Sequence, residues 1–130
     1  MSMSKILVVD DEPDIADLFR QQFRREAKAG IYALHFAHSA VEALDRIASE
    51  TQPELMVILS DINMPGMDGL TLLARTRVQW PEIPVVMVTA YGDEERRRRA
   101  EEIGAAEFIT KPVDFALLKA HLRELQPASR

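Results

Sequence analysis

Residues 55–59, with the sequence LMVIL, form an unbroken apolar run that ends at the polar pair Ser60-Asp61. Two further runs, ILVV at 6–9 and VVMV at 85–88, are apolar throughout in the same way. A strand with one solvated face alternates apolar and polar residues, whereas a central strand of a parallel sheet is apolar on both faces. The three runs therefore predict a parallel sheet that helices cover on both sides.

Amphipathic segments separate these runs from each other and from two weaker ones, at Tyr32–Phe36 and around Phe108–Ile109. Residue types that begin or end helices stand between the runs: Pro13 and Gly30, the capping box Ser39–Glu42, Asp68, Trp80-Pro81, Asp93 and Asp114. The first predicted helix has apolar residues at helical spacing, which form a stripe along one side: Ile15, Leu18, Phe19 and Phe23. A strand followed by a helix, five times over, predicts a doubly wound α/β domain.

The composition excludes several classes of protein. A chain of 130 residues is long enough for one domain with its own core. Its net charge of −5 argues against an electrostatic nucleic-acid binder, and the arginines at 96–99 spread around a helix instead of forming one basic face. Without cysteine, membrane-length apolar runs or a signal-peptide pattern, we expect a cytoplasmic protein that contacts neither nucleic acid nor membrane directly. His35, His38 and His121 lack metal-ligand spacing, and we interpret them as structural.

Polar side chains stand at the carboxyl ends of four predicted strands, the edge where doubly wound domains bind ligands. Asp10 and Asp11 follow the first strand, Asp61 the third, Thr89 the fourth and Lys111 the fifth. Two carboxylates ~4 Å apart repel by about 4 kcal/mol at an effective dielectric constant of ~20, so three need more positive charge than one lysine supplies. Hard oxygen donors without histidine or cysteine favour Mg²⁺, which attracts phosphate oxygens. The residues indicate a phosphoryl-transfer site.

Four segments that contain these residues together resemble the receiver domains of two-component response regulators. They are VVDDEP at 8–13, SDINMPGMDG at 60–69, VTAYG at 88–92 and FITKP at 108–112. Each is weak alone, but all four occur in order, each at the end of a strand. The resemblance implies a flavodoxin-like three-layer sandwich with parallel strand order 2-1-3-4-5. It also implies a receiver domain over residues 5–126, with residues 1–4 and 127–130 as flexible tails.

The resemblance assigns a role to each carboxylate. Asp61 is implied to be the phosphoacceptor, a carboxylate nucleophile that forms an aspartyl phosphate. Asp11 and Asp61 would bind Mg²⁺ directly with the backbone carbonyl of Asn63, while Asp10 would bind a metal-bound water. On the residues alone, Asp10 and Asp11 could instead cap the first helix. The implied function is a signalling module that promotes only its own phosphorylation and dephosphorylation, not a conventional enzyme.

The resemblance also implies a switch beside the phosphoacceptor. Lys111 would pair with the phosphoacceptor and then with its phosphoryl group, and a cis bond to Pro112 would aim it inward. The hydroxyl of Thr89 would move to donate a hydrogen bond to the phosphoryl group, assisted by the amide of Ala90. Phe108 stands where many relatives have a tyrosine that turns inward on activation, and it lacks the tyrosine's hydroxyl.

The surface expected to change is formed by the fourth helix, the fifth strand and the fifth helix, the α4-β5-α5 face of the family. The fourth helix has a thin apolar stripe with Ala100 and Ile103, and we expect its arginines to pair with glutamates four residues away. The implied phosphoryl donor is a histidine kinase or histidine phosphotransfer protein. The implied downstream partner is a protein target or a missing C-terminal output domain. The resemblance also implies a phosphorylation-dependent dimer through the same face.

Two other functions compete with this one. A Mg²⁺-dependent phosphatase of the haloacid-dehalogenase type also forms an aspartyl phosphate, but it needs Asp-x-Asp after its first strand, where this chain has Asp10-Asp11-Glu12. Such enzymes also need a cap domain or loop, for which the chain is short. A degenerate receiver would bind partners without phosphorylation, and the complete set of acidic, hydroxyl and lysine residues argues against it.

Overall fold

The computed structural model describes residues 4–51, 56–90 and 92–125, and these contain five strands and six helices. The strands are β1 (Ser4–Val9), β2 (Tyr32–Ala37), β3 (Met56–Asp61), β4 (Val85–Thr89) and β5 (Glu107–Thr110). The helices are α1 (Asp14–Gln22), α2 (Arg24–Lys28), α3 (Ala40–Ala48), α4 (Gly69–Gln79), α5 (Glu94–Ile103) and α6 (Phe115–Leu125). Of the predicted tails only Ser4 is described, as the first residue of β1, and Leu55 also lies outside the described residues. No described helix is both long enough and apolar enough to cross a membrane.

All five strands are parallel and lie in one sheet with the order β2-β1-β3-β4-β5. The predicted strand order is therefore confirmed. The register aligns the strand ends, because Val9 of β1 pairs with Ser60 of β3, and Asp61 pairs with Val88 of β4. The chain reverses its direction of winding between β1 and β3, so side chains at the ends of these strands share the crevice where such folds bind ligands.

Helices cover both faces of the sheet and make three layers, as predicted. One core lies between the sheet and helices α3, α4 and α5, and the other lies between the sheet and helices α1 and α6. Residues of β3 alternate between the two, with Met56 and Ile58 in the first core and Val57 and Leu59 in the second. The unbroken apolar runs of the sequence are explained by this alternation, since both faces of the strand are buried.

The first helical segment is divided, which differs from the single predicted helix. Phe23 separates α1 from α2 with φ −105° and ψ 15°, and its side chain is 0% exposed. Its ring stacks on Phe19 at 5.8 Å and meets Tyr32 edge to face at 5.9 Å. Leu18, predicted to lie in the buried stripe, is 39% exposed. Because of the extra helix, the predicted fourth and fifth helices are α5 and α6, and we call the surface they form with β5 the α5–β5–α6 face.

Side chains cap three of the predicted helix starts. Ser39, Asp68 and Asp114 each accept the backbone N–H of the residue three positions later. The carboxylate of Glu42 accepts the N–H of His38 instead of that of Ser39, so the capping box is half formed.

Asp93 precedes α5 but makes no side-chain capping bond, so this part of the prediction is wrong. Its backbone, at φ −92° and ψ 58°, lies outside the extended region that places a capping oxygen on the first free N–H groups.

Candidate functional site

The ends of β1 and β3 bring three aspartates together. Asp10 and Asp11 directly follow β1, and Asp61 is the last residue of β3. One carboxylate oxygen from each lies within 4.8 Å of those from the other two. Asp10 and Asp61 are 8% and 6% exposed, whereas Asp11 is open to solvent. The predicted acidic cluster is thus confirmed, with one of its members accessible from outside.

Lys111, which follows β5, is the cation that contacts this cluster. Its Nζ donates a hydrogen bond to Oδ2 of Asp61 at 2.8 Å. Oδ1 of the same carboxylate accepts the backbone N–H of Asn63 at 3.2 Å. Both oxygens of Asp61 therefore have a donor, which fixes the orientation of the carboxylate. The Lys111–Pro112 peptide bond is cis, as predicted.

Asp10 belongs to the site and not to the start of a helix. Its Oδ1 accepts the backbone N–H of Glu12 at 2.9 Å. The residue at the N-cap position of α1 is Pro13, and no side chain caps that helix. The interpretation that Asp10 and Asp11 merely cap the first helix is therefore wrong.

The charges of the cluster are out of balance. Burial raises the pKa of the Asp10 carboxyl; the N–H of Glu12 opposes this rise, and the charge of Asp61 adds to it. Burial alone would lower the pKa of Lys111, but the hydrogen bond to Asp61 and the charges of Asp61 and Asp10 outweigh it and raise that pKa. One ammonium does not neutralise three carboxylates, and this all-oxygen donor set fits a hard divalent cation such as Mg²⁺.

Thr89 lies at the end of β4, between the strands that carry Asp61 and Lys111. Asp61 pairs with Val88, the residue just before Thr89. On the other side, the N–H of Lys111 donates to the carbonyl of Thr89 at 2.9 Å. The Thr89 side chain is 3% exposed, while Ala90 is exposed. A buried threonine and an exposed alanine therefore lie at the end of β4, beside the strand that ends at Asp61.

Phe108 lies on the same face of the sheet as Thr89. The pairs Met87–Phe108 and Thr89–Thr110 are successive pairs on that face. The ring of Phe108 is half-buried against the core beneath α3, α4 and α5. The guanidinium of Arg97 in α5 lies 4.8 Å from the ring centre. Arg97 was not identified from the sequence, which predicted only an ion pair with a glutamate of its own helix.

Helix α5 has a weak attachment to the domain. Ala100 is its single buried residue, and Ile103 packs against the core at the edge. The prediction of a thin apolar stripe is confirmed. The predicted glutamate–arginine pairs are wrong, because no ion pair within 4.0 Å joins two residues of this fully described helix.

A groove of 420 Å³ separates α5 from the loop that follows β3. Its lining residues are Asn63, Met64, Pro65, Gly66, Asp68 and Arg96. Arg96 therefore faces the loop that follows Asp61, a placement that helical periodicity alone did not reveal. A molecule that enters this groove meets a guanidinium.

Gly69 permits a close backbone contact beside the site that the sequence did not reveal. A Cβ at this position would lie 2.2 Å from the carbonyl oxygen of Asp61 and 2.8 Å from Cα of Ile62. The N–H of Gly69 donates to the carbonyl of Ile62 at 2.8 Å. The start of α4 is thus in direct backbone contact with the end of β3, and any side chain at Gly69 pushes them apart.

Gly69→Ala is expected to lower the free energy of unfolding by about 3 kcal/mol, because the added methyl meets backbone atoms that no rotamer change can move. Urea denaturation followed by circular dichroism measures this loss. Thr71→Ala, an exposed change on the same helix, is the control and should cost less than about 0.5 kcal/mol. Equal stability of the two variants would contradict the close approach.

The fold and the site together define a signalling receiver domain: a parallel sheet of order 2-1-3-4-5 with three aspartates and a lysine at one edge. The family model described as response regulator receiver domain matches residues 6–123, and the chain belongs to that family. The alternative of a haloacid-dehalogenase-like phosphatase is therefore wrong.

Individual relatives agree with the family match. Sporulation initiation phosphotransferase F of Bacillus subtilis is 33% identical over 127 residues, covering 98% of this chain and 97% of that protein. Response regulator MprA of Mycobacterium avium is 34% identical over 121 residues, covering 93% of this chain but 50% of that protein. The solved receiver domain of NtrX from Brucella abortus has a TM-score of 0.81 at 34% identity and covers 95% of this chain and 99% of its own. A response regulator receiver domain protein from Clostridium thermocellum has a TM-score of 0.84 at 25% identity, with coverage of 95% and 94%.

Proposed function

We propose that this receiver accepts a phosphoryl group on Asp61 from a histidine kinase or histidine phosphotransfer protein in a Mg²⁺-dependent reaction. The observation that carries the proposal is the position of the Asp61 carboxylate, 2.8 Å from the Lys111 ammonium and within 4.8 Å of the carboxylates of Asp10 and Asp11. The hydrogen bond to Lys111 helps to fix the orientation of this aspartate. The negative charge around it suits a divalent metal ion, and such an ion binds phosphate oxygens.

The chain's own residues account for the transfer step. A carboxylate oxygen of Asp61 attacks phosphorus and forms the O–P bond, while the bond from phosphorus to the donor's imidazole nitrogen breaks and that nitrogen keeps the electron pair. The hydrogen bonds from Lys111 and the amide of Asn63 orient the carboxylate. As the phosphoryl group arrives, the ammonium of Lys111 shifts its hydrogen bond from Asp61 to a phosphoryl oxygen, and the amide of Ala90 donates to another.

Mg²⁺ would be bound by Asp11, Asp61 and the backbone carbonyl of Asn63, with Asp10 contacting it through water. When bound, the ion neutralises negative charge on the incoming phosphoryl group. The surroundings of these residues support the assignment, because Asp11 is exposed to arriving ions while Asp10 and Asp61 are buried beside it.

Asp11→Ala is expected to weaken Mg²⁺ binding at least tenfold, because it removes one of two carboxylates that bind the ion directly. Isothermal titration calorimetry of the unphosphorylated chain measures the affinity. Asp14→Ala, an exposed aspartate in the first turn of α1, is the matched control and should leave the affinity unchanged. Unaltered Mg²⁺ affinity in Asp11→Ala would remove this residue from the metal site.

The proposed output is a rearrangement of the α5–β5–α6 face. Thr89 moves toward the phosphoryl group, and Phe108 turns into the space that Thr89 leaves on the same face of the sheet. Arg97 is expected to lose its contact with the ring, which displaces α5. The changed face would bind a protein target, a C-terminal output domain or a second phosphorylated copy of this chain.

A further inference from the structure

Three potential metal ligands lie on the α5–β5–α6 face, at the opposite end of β5 from Lys111. Glu107 is the first residue of β5, and His121 and Glu124 are one turn apart on α6. One donor atom from each lies within 4.8 Å of those from the other two. Glu107 and His121 are fourteen positions apart in the chain, so linear spacing gave no sign of the group.

The distances are too long for hydrogen bonds but suit a shared ion. Nδ1 of His121 lies 3.6 Å from Oε2 of Glu107 and 3.9 Å from Oε1 of Glu124. Neither distance is that of a hydrogen bond. Donor atoms about 2.1 Å from a tetrahedral Zn²⁺ lie about 3.4 Å from each other. Small side-chain movements would therefore close the three donors around an ion, and the Glu124 side chain, 75% exposed, is free to make them.

The charge of the group also indicates a cation. Within the described residues, no lysine or arginine forms an ion pair with Glu107 or Glu124, and the ion-pair partner of both carboxylates is the imidazole of His121. Two carboxylates around one imidazole carry excess negative charge. An imidazole nitrogen together with carboxylate oxygens selects Zn²⁺ over Mg²⁺. The chain has no cysteine, so no thiolate site competes for such an ion.

We propose that Glu107, His121 and Glu124 form a zinc-binding site that joins β5 to α6. Water would complete the coordination, since the site is open on the side of Glu124. This site is separate from the aspartate cluster and does not depend on phosphorylation.

Isothermal titration calorimetry with ZnCl₂, in a large excess of Mg²⁺ that fills the aspartate cluster, tests the proposal on the whole chain. The wild-type chain is expected to bind one Zn²⁺. His121→Ala and Glu107→Gln should each weaken binding at least tenfold, whereas His38→Ala, which removes an exposed histidine outside the group, should leave it unchanged. The Asp11→Ala chain should still bind Zn²⁺ at this site, which separates the result from the fate of the proposed Mg²⁺ site.

The imidazole resonances in nuclear magnetic resonance spectra give a second measurement. Addition of Zn²⁺ should shift the signals of His121 and leave those of His35 and His38 in place. Equal Zn²⁺ affinity in wild type and His121→Ala, or no Zn²⁺ binding by the wild type, would overturn the proposal.

Discussion

Asp61→Asn is expected to abolish phosphorylation: after incubation with Mg²⁺ and acetyl phosphate, its intact mass stays that of the unmodified chain. The wild-type chain gains one phosphoryl group, stable in acid and labile in base. The substitution keeps the shape of the side chain and an oxygen that can accept the N–H of Asn63. It removes the negative charge, and that charge both pairs with Lys111 and makes the aspartate oxygen a nucleophile. The expected loss is therefore one of chemistry and not of folding.

Asp68→Asn is the matched control for this experiment. Asp68 lies in the same loop and caps α4 by accepting the N–H of Thr71, a task that asparagine performs equally well. This variant should be phosphorylated to the wild-type extent. Full phosphorylation of Asp61→Asn would show that another residue is the acceptor.

Thr89→Ala is expected to accept phosphate and yet lose most of the amide chemical-shift changes that phosphorylation causes in α5, β5 and the start of α6. The hydroxyl is not needed for attack by Asp61, so the reaction proceeds. Without the hydroxyl, residue 89 cannot form a hydrogen bond to the phosphoryl group and does not move toward it. The space into which Phe108 would turn is then not vacated. Spectra of the phosphorylated and unphosphorylated forms measure the effect.

Thr89→Ser distinguishes the contribution of the hydroxyl from that of the methyl group, because serine keeps only the hydroxyl. Serine keeps the hydrogen-bond donor and should retain most of the shift changes, whereas alanine should not. If the changes persist in fully phosphorylated Thr89→Ala, the connection from Thr89 to Phe108 is wrong and the signal leaves by another face.

The parts of the fold that sequence predicted are those governed by local pattern. Unbroken apolar runs mark buried parallel strands, and acidic residues at their ends lie together because parallel strands end at one edge. The division at Phe23 escaped prediction because the apolar spacing continues across it, and only contact with Phe19 and Tyr32 explains it.

The features that the sequence did not predict all join different secondary-structure elements. The approach of Gly69 to Asp61, the contact of Arg97 with Phe108 and the group around His121 depend on how separate elements pack. Periodicity identifies the buried side of a helix but not the partner of each exposed side chain. The glutamates and arginines of α5 illustrate this, since their spacing suited ion pairs that the helix does not form.

Because α5 buries a single alanine, little free energy is needed to change its position on the domain. Inverting a two-state ratio from about 1:99 to 99:1 takes roughly 5.5 kcal/mol of differential binding. Each leucine fully buried in a core adds about 1.5–3 kcal/mol. Two or three leucines added to the apolar stripe around Ala100, if they were buried in only one arrangement, would stabilise that arrangement by about as much free energy as the inversion requires. We therefore expect a helix attached so lightly to populate both arrangements before phosphorylation, and a few hydrogen bonds to one phosphoryl group to reverse their proportions.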